Sequence, residues 1–173
     1  MRKRPTARYV NGILAIVIVA FFAVHGALGA ASGFFPLTRT FAWLVWVGIA
    51  IVCVHIVASI VTSRQQLTDR EHPPSTRKKR HLALKWVTGV VLAAAVIAHI
   101  VVMRTTGETL TGAGIGGLVG LIALIALLAA HTCIGVRSLL KDIGADRERK
   151  TAVRIAVCTV AAAIAIACIA AVL

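Results

Sequence analysis

Four histidines stand inside long apolar runs of this sequence: His25, His55, His99 and His131. An imidazole in hydrocarbon is costly and is usually retained because it binds a metal or carries a proton. Proton relays and ion-coupled transporters also rely on intramembrane carboxylates, and these runs contain neither Asp nor Glu. The pattern therefore favours metal ligation, for which neutral imidazole is a common donor.

The elements that carry these histidines have the composition of membrane spans. The chain has 173 residues, of which 59% are hydrophobic, and its mean hydropathy is +0.91. A helix needs about 20 apolar residues to cross a bilayer. Five such runs predict an all-α membrane protein, one transmembrane domain over 1–173, with spans at about 9–30, 41–63, 83–103, 114–136 and 153–173.

Basic residues predict the orientation of these spans. Of the 19 Lys and Arg residues, 17 lie in three segments, 1–8, 64–85 and 137–154, which alternate with two poorly charged connections. Because cytoplasmic loops carry the excess of Lys and Arg, we expect a multi-pass protein of the cell membrane with its N-terminus inside and its C-terminus outside. The net charge of +13 then reflects topology and contact with anionic lipid, with no nucleic acid partner.

The beginning of the chain permits a second interpretation. The basic head "MRKR", an apolar stretch and the small residues "GALGAASG" resemble a signal peptide with its cleavage site. The apolar stretch is long enough to span the membrane, which favours a retained first helix.

Two of the histidines are predicted to lie toward the outer leaflet. His25 is 17 residues past Arg8 and His99 is 14 past Lys85, or about 25 Å and about 21 Å along their helices. These two residues are called the outer pair, a name that follows the predicted orientation.

The other two histidines are predicted to lie toward the inner leaflet. His55 is nine residues before Arg64, and His131 is six before Arg137, which gives depths of about 13 Å and about 9 Å. These two residues are called the inner pair.

The outer and inner pairs, each at one predicted depth, predict two haem sites. If the first four helices form a bundle, the two helices of each pair run parallel and lie diagonally opposite. Two imidazoles facing each other at one level suit axial ligation of a haem iron, so we expect two haem b, one held by His25 and His99 and one by His55 and His131. A zinc site is less suited, because it needs its ligands at one depth.

Small residues and arginines complete the predicted sites. Gly29, Ser59 and Gly135 each follow a histidine by four residues, and a Gly112-Gly116-Gly120 ridge lies on the fourth span. They suit either haem clearance or close helix packing. Arg64 and Arg137 are candidates for the propionates of the inner haem, and Arg39 and Arg104 for those of the outer haem. The alternative for these arginines is interfacial anchoring.

Two other segments are interpreted as structural. Cys53, Cys133, Cys158 and Cys168 lie within spans without CxxC spacing, which predicts packing residues rather than a disulfide framework. The segment "EHPPSTRKKRH" is predicted to be a solvated linker in which His72 and His81 have no special role.

The arrangement of five spans and four intramembrane histidines resembles the membrane anchors of succinate dehydrogenase and fumarate reductase, in the single-chain form that binds two haems. "HTCIGVRSLLKDIG" resembles the end of that family's histidine-bearing helix, through His131, Gly135, Arg137, Asp142 and Gly144. "KWVTGVVLAAAVIAHI" and "NGILAIVIVAFFAVHG" are similar to two further spans of the family, and the second span matches more weakly.

The resemblance implies a non-catalytic subunit of an oxidoreductase complex. It would dock a flavoprotein subunit and an iron–sulfur subunit on the cytoplasmic face and pass electrons between them and a membrane quinone through two b haems. Two alternatives remain open: the cytochrome b subunit of another respiratory complex, such as a hydrogenase or nitrate reductase, and a haem-free membrane anchor or transporter. The intramembrane glutamates of some relatives are missing here, so no quinone-site residue is carried over.

Overall fold

The fold is a set of five α-helices. The computed structural model describes residues 6–31, 43–69, 73–105, 114–142 and 146–172, apart from a few side chains within these ranges. The helices are α1 (Thr6–Ala31), α2 (Trp43–Leu67), α3 (Thr76–Thr105), α4 (Gly114–Asp142) and α5 (Arg147–Val172). Each is long and apolar enough to cross a membrane. The prediction of five apolar spanning helices is therefore confirmed.

Four of the helices, α2 to α5, extend beyond the predicted apolar runs by a turn or more of polar sequence. α3 begins at Thr76 rather than at 83, and α5 begins at Arg147 rather than at 153. Ser75 Oγ accepts from the backbone N–H of Lys78, and Asp146 Oδ1 accepts from that of Arg149, so each helix starts at a capping residue. The linker prediction for "EHPPSTRKKRH" was therefore wrong from Thr76 onward, and α2 likewise runs on to Leu67.

The helix contacts centre on α1 and α4. α1 packs on α2, α3 packs on α4, and α1 touches α4, while α5 packs on both α1 and α4. Between α2 and α3, Trp86 Nε1 donates a hydrogen bond to Ser63 Oγ at 3.1 Å. Within the described ranges, none of the pairs α1 with α3, α2 with α4 and α2 with α3 packs extensively.

Little of the apolar surface is buried within the chain. The most buried apolar cluster joins Ala30 of α1 and Cys168 of α5, with partly buried side chains of α4 and α5 around them. Large apolar side chains such as Trp46, Ile115 and Ile166 are more than half exposed. Such a surface requires lipid around it, because the exposure of this much apolar area to water is unfavourable.

Candidate metal-binding histidine pairs

The four intramembrane histidines lie on four different helices, α1 to α4. His55 of α2 and His131 of α4 lie close enough for their charges to interact, and so do His25 of α1 and His99 of α3. Among the described residues, no three His, Cys, Asp or Glu side chains form a metal-binding cluster. The histidines are thus associated two by two, and each pair takes one imidazole from each of two helices.

His131 is fixed by residues of α3. Its Nδ1 lies 2.9 Å from Oγ1 of Thr88. A Cβ atom on Gly89 would lie 3.2 Å from Cε1 of His131, so the ring rests directly against the α3 backbone. A larger residue at this position would push the imidazole toward the bundle interior.

His55 has a polar neighbour on one side only. Its Nε2 is 3.5 Å from Ser59 Oγ, one turn later on the same helix, and Ser59 Oγ donates to Asn11 Oδ1 of α1 at 3.2 Å. Its Nδ1 is buried and has no hydrogen-bond partner among the described residues. A buried polar nitrogen without a partner is costly in an apolar medium, and a bound metal or ligand would satisfy it.

Lys85 is the cation that the structure brings into electrostatic range of both inner histidines. It lies on α3, one turn before Gly89, and is half-buried. In the sequence, Lys85 marks only the inner end of the third apolar run. Its spacing from Thr88 and Gly89 was the available signal, because residues three and four apart share one face of a helix.

The outer pair lies in apolar surroundings. The ring of His25 is stacked on Phe21, with centroids 5.9 Å apart and planes 7° from parallel. His99 lines a cavity of about 470 Å³ between α3 and α4. The cavity is lined by small and apolar residues together with this one imidazole: Ala95, Ala98, Val102, Met103, Gly116, Gly117, Gly120 and Leu121.

The glycines near the histidines divide into two groups. Cβ atoms on Gly29, Gly116, Gly120 and Gly135 would meet nothing within 4 Å, so these positions border open space. At Gly48, by contrast, a Cβ would lie 2.7 Å from the ring of Phe21, so this glycine serves close packing of α1 on α2. Gly112 lies outside the described residues.

The positions of the four candidate arginines give little support to their predicted role as propionate partners. Arg64 and Arg104 are exposed in the last turns of α2 and α3. Arg39 lies outside the described residues, and the side chain of Arg137 does as well, although its backbone belongs to α4. Their propionate role stays a prediction.

No protein-family model matches this chain, and no curated protein or solved structure is significantly similar to it. The site must be judged by its own chemistry. The inner pair offers two imidazoles with a cation nearby, and the outer pair offers two imidazoles with glycine-lined space next to His99. These groups suit an anionic macrocycle with a central metal.

Proposed function

We propose that this chain is the membrane-anchor cytochrome b subunit of an oxidoreductase of the succinate dehydrogenase or fumarate reductase type. It holds two haem b, docks a flavoprotein and an iron–sulfur subunit on its cytoplasmic face, and connects them to membrane quinone. The observation that supports the proposal is that the four intramembrane histidines, each from a different helix, lie within electrostatic range of one another as two pairs.

The residues present fit two haems. His55 and His131 would hold the inner one, and Nδ1 of His55 has no hydrogen-bond partner among the described residues. His25 and His99 would hold the outer one, and His99 lines a cavity of about 470 Å³ that lies within the usual size range of organic-ligand sites. When bound, each haem supplies a one-electron iron couple whose potential depends on ligand orientation, hydrogen bonding and burial.

The chain's own contribution is to hold and orient the two haems and to insulate them from water. The two imidazoles of each pair come from different helices, so the bundle itself sets their separation. Apolar side chains around them exclude water, and the absence of intramembrane carboxylates leaves no internal proton carrier of that kind in the spans. Lys85 provides a positive charge next to the inner pair, where a propionate would be stabilised.

The partners follow from what the chain itself lacks. A relay of electrons needs a donor and an acceptor, and this sequence has no flavin or iron–sulfur motif to provide either. The basic segments 64–85 and 137–154 form the predicted cytoplasmic face, which favours docking of an acidic surface. The proposal therefore assigns the flavin and the clusters to the two docked subunits.

A spectrum of the purified chain tests the proposal. The protein is expressed with an ample haem supply, extracted in mild detergent and compared as a reduced-minus-oxidised difference, with haem quantified as its pyridine complex. We expect a b-type band and two haems per chain, together with co-purification of flavoprotein and iron–sulfur subunits from the native membrane. A chain without any b-type band under these conditions contradicts the proposal.

A further inference from the structure

The hydroxyl of Thr88 lies between a histidine ring and two backbone carbonyls. Oγ1 is 2.9 Å from Nδ1 of His131 on the neighbouring helix. It is also 2.9 Å from the carbonyl oxygen of Leu84 and 3.2 Å from that of Lys85, both on its own helix. A hydroxyl has one proton to donate and two lone pairs that accept, whereas a carbonyl only accepts. When the proton of Thr88 is directed to either carbonyl, a lone pair of its oxygen faces the imidazole.

This arrangement selects one tautomer of His131. An accepting oxygen next to Nδ1 requires a proton on Nδ1, and the neutral ring then keeps its free lone pair on Nε2. We propose that Thr88 is a positioning residue, which fixes the proton of His131 on Nδ1 and thereby presents Nε2 to the metal of the inner site. That the metal is a haem iron rests on the proposed function, whereas the placement of the proton does not.

Gly89 supports the same orientation by its size. Because a Cβ here would lie 3.2 Å from Cε1 of His131, only glycine lets the ring come this close to α3 without displacement. Thr88 and Gly89 together thus hold one edge of the imidazole, the first by a hydrogen bond and the second by contact. An imidazole held at Nδ1 by an acceptor is also a stronger electron donor at Nε2.

The partner ligand provides an internal contrast. Nδ1 of His55 has no hydrogen-bond partner among the described residues, and its Nε2 is at 3.5 Å from Ser59, the limit of a hydrogen bond. Within the inner pair, His131 is therefore the ligand whose ring is held by a hydroxyl from another helix. A change at Thr88 should alter this one ligand and leave His55 as it was.

The experiment compares Thr88→Val with Thr88→Ser in the full-length chain. Valine keeps the shape and β-branching of threonine but removes the hydroxyl, and serine restores it. The matched control is Thr105→Val, since the Thr105 hydroxyl donates in the same way to the carbonyls of Val101 and Val102 at 3.0 Å but sits at the exposed end of α3. Circular dichroism of all four proteins shows whether each is folded.

The first readout needs no haem. Protein labelled with ¹⁵N-histidine and purified without haem is examined by NMR, with the His131 signals assigned by their loss in His131→Ala. We expect the Nδ1–H tautomer in the unsubstituted chain, in Thr88→Ser and in Thr105→Val, and a mixture of tautomers in Thr88→Val. An unchanged tautomer in folded Thr88→Val overturns the inference, whether or not the chain binds haem.

The second readout uses the haem-loaded protein. Thr88→Val should weaken haem binding at the inner site by about 10-fold, the lower end of what loss of a ligand's hydrogen-bond partner costs. It should also raise the midpoint potential of that haem, because a weaker donor stabilises ferric iron less. Two haems with unshifted potentials in Thr88→Val contradict the inference while leaving the proposed function intact, and absence of haem from the unsubstituted chain contradicts the proposed function alone.

Discussion

The inner and outer histidine pairs have the same composition and contrasting surroundings. The inner pair is approached by hydroxyls, by Lys85 and by the Thr88–Gly89 edge of α3. The outer pair is approached by the Phe21 ring and by a glycine-lined cavity of about 470 Å³. Polar contacts fix the direction and protonation of a ligand, whereas an apolar cavity fixes only the space around it. We infer that the inner site depends on the orientation of its histidine ligands, whereas the outer site depends on the shape of its cavity.

The sharpest test of this comparison removes one ligand from each pair. His131→Ala should reduce the content from two haems to one by emptying the inner site, and it should abolish electron transfer to quinone by the complex. His99→Ala should instead empty the outer site. Haem quantification and redox titration distinguish the two results. His72→Ala serves as the control and should retain both haems; loss of both haems in either ligand variant would show that the sites are not separate.

The next effect in size comes from filling the outer cavity. Gly120 lines it, and a Cβ there meets nothing within 4 Å, so Gly120→Leu introduces a side chain into open space rather than into a neighbour. We expect the outer haem to be lost and the inner haem to remain, as measured by the haem-to-protein ratio. Val119→Leu, on an exposed position next to it, should change neither. Equal loss of both haems in Gly120→Leu would contradict a site defined by shape at one level only.

A smaller effect is expected when the inner ligand is displaced. Gly89→Ala places a Cβ 3.2 Å from Cε1 of His131, so the ring must move by a few tenths of an ångström. Haem affinity at the inner site should fall by about 10-fold, as for other disturbances of ligand orientation. Gly29→Ala is the matched control, because its Cβ meets nothing within 4 Å. If the two alanine variants bind haem equally well, orientation by α3 does not govern the inner site.

The smallest effect on either histidine pair should follow from a disulfide bond between α4 and α5. Sγ of Cys133 and Sγ of Cys158 are 3.9 Å apart, close enough to form a disulfide after small side-chain rotations. Diamide, which accepts the two electrons, should reduce the number of alkylatable thiols from four to two by mass spectrometry, and both haems should remain. Cys53→Ser leaves this loss of two thiols unchanged, whereas Cys158→Ser prevents it. Loss of a haem on oxidation would place α5 within a site.

The sequence predicted much of the fold because lipid imposes a strong rule on composition. About 20 apolar residues are needed for each crossing, and the five runs that meet this requirement correspond to the five helices. The ends of α3 and α5 were predicted less well. Ser75 and Asp146 continue each helix into charged sequence through caps, and such local bonds leave no trace in hydropathy.

What the sequence determined by itself was the presence and number of the imidazoles in apolar helices and their positions along those helices, because helical rise converts residue counts into distances. It could not determine what lies beside each ring. That Thr88 and Gly89 hold His131, that Phe21 lies between His25 and Gly48, and that Lys85 faces the inner pair are facts of the tertiary structure alone. They depend on how the helices are rotated about their own axes, which packing between helices sets and no single helix encodes.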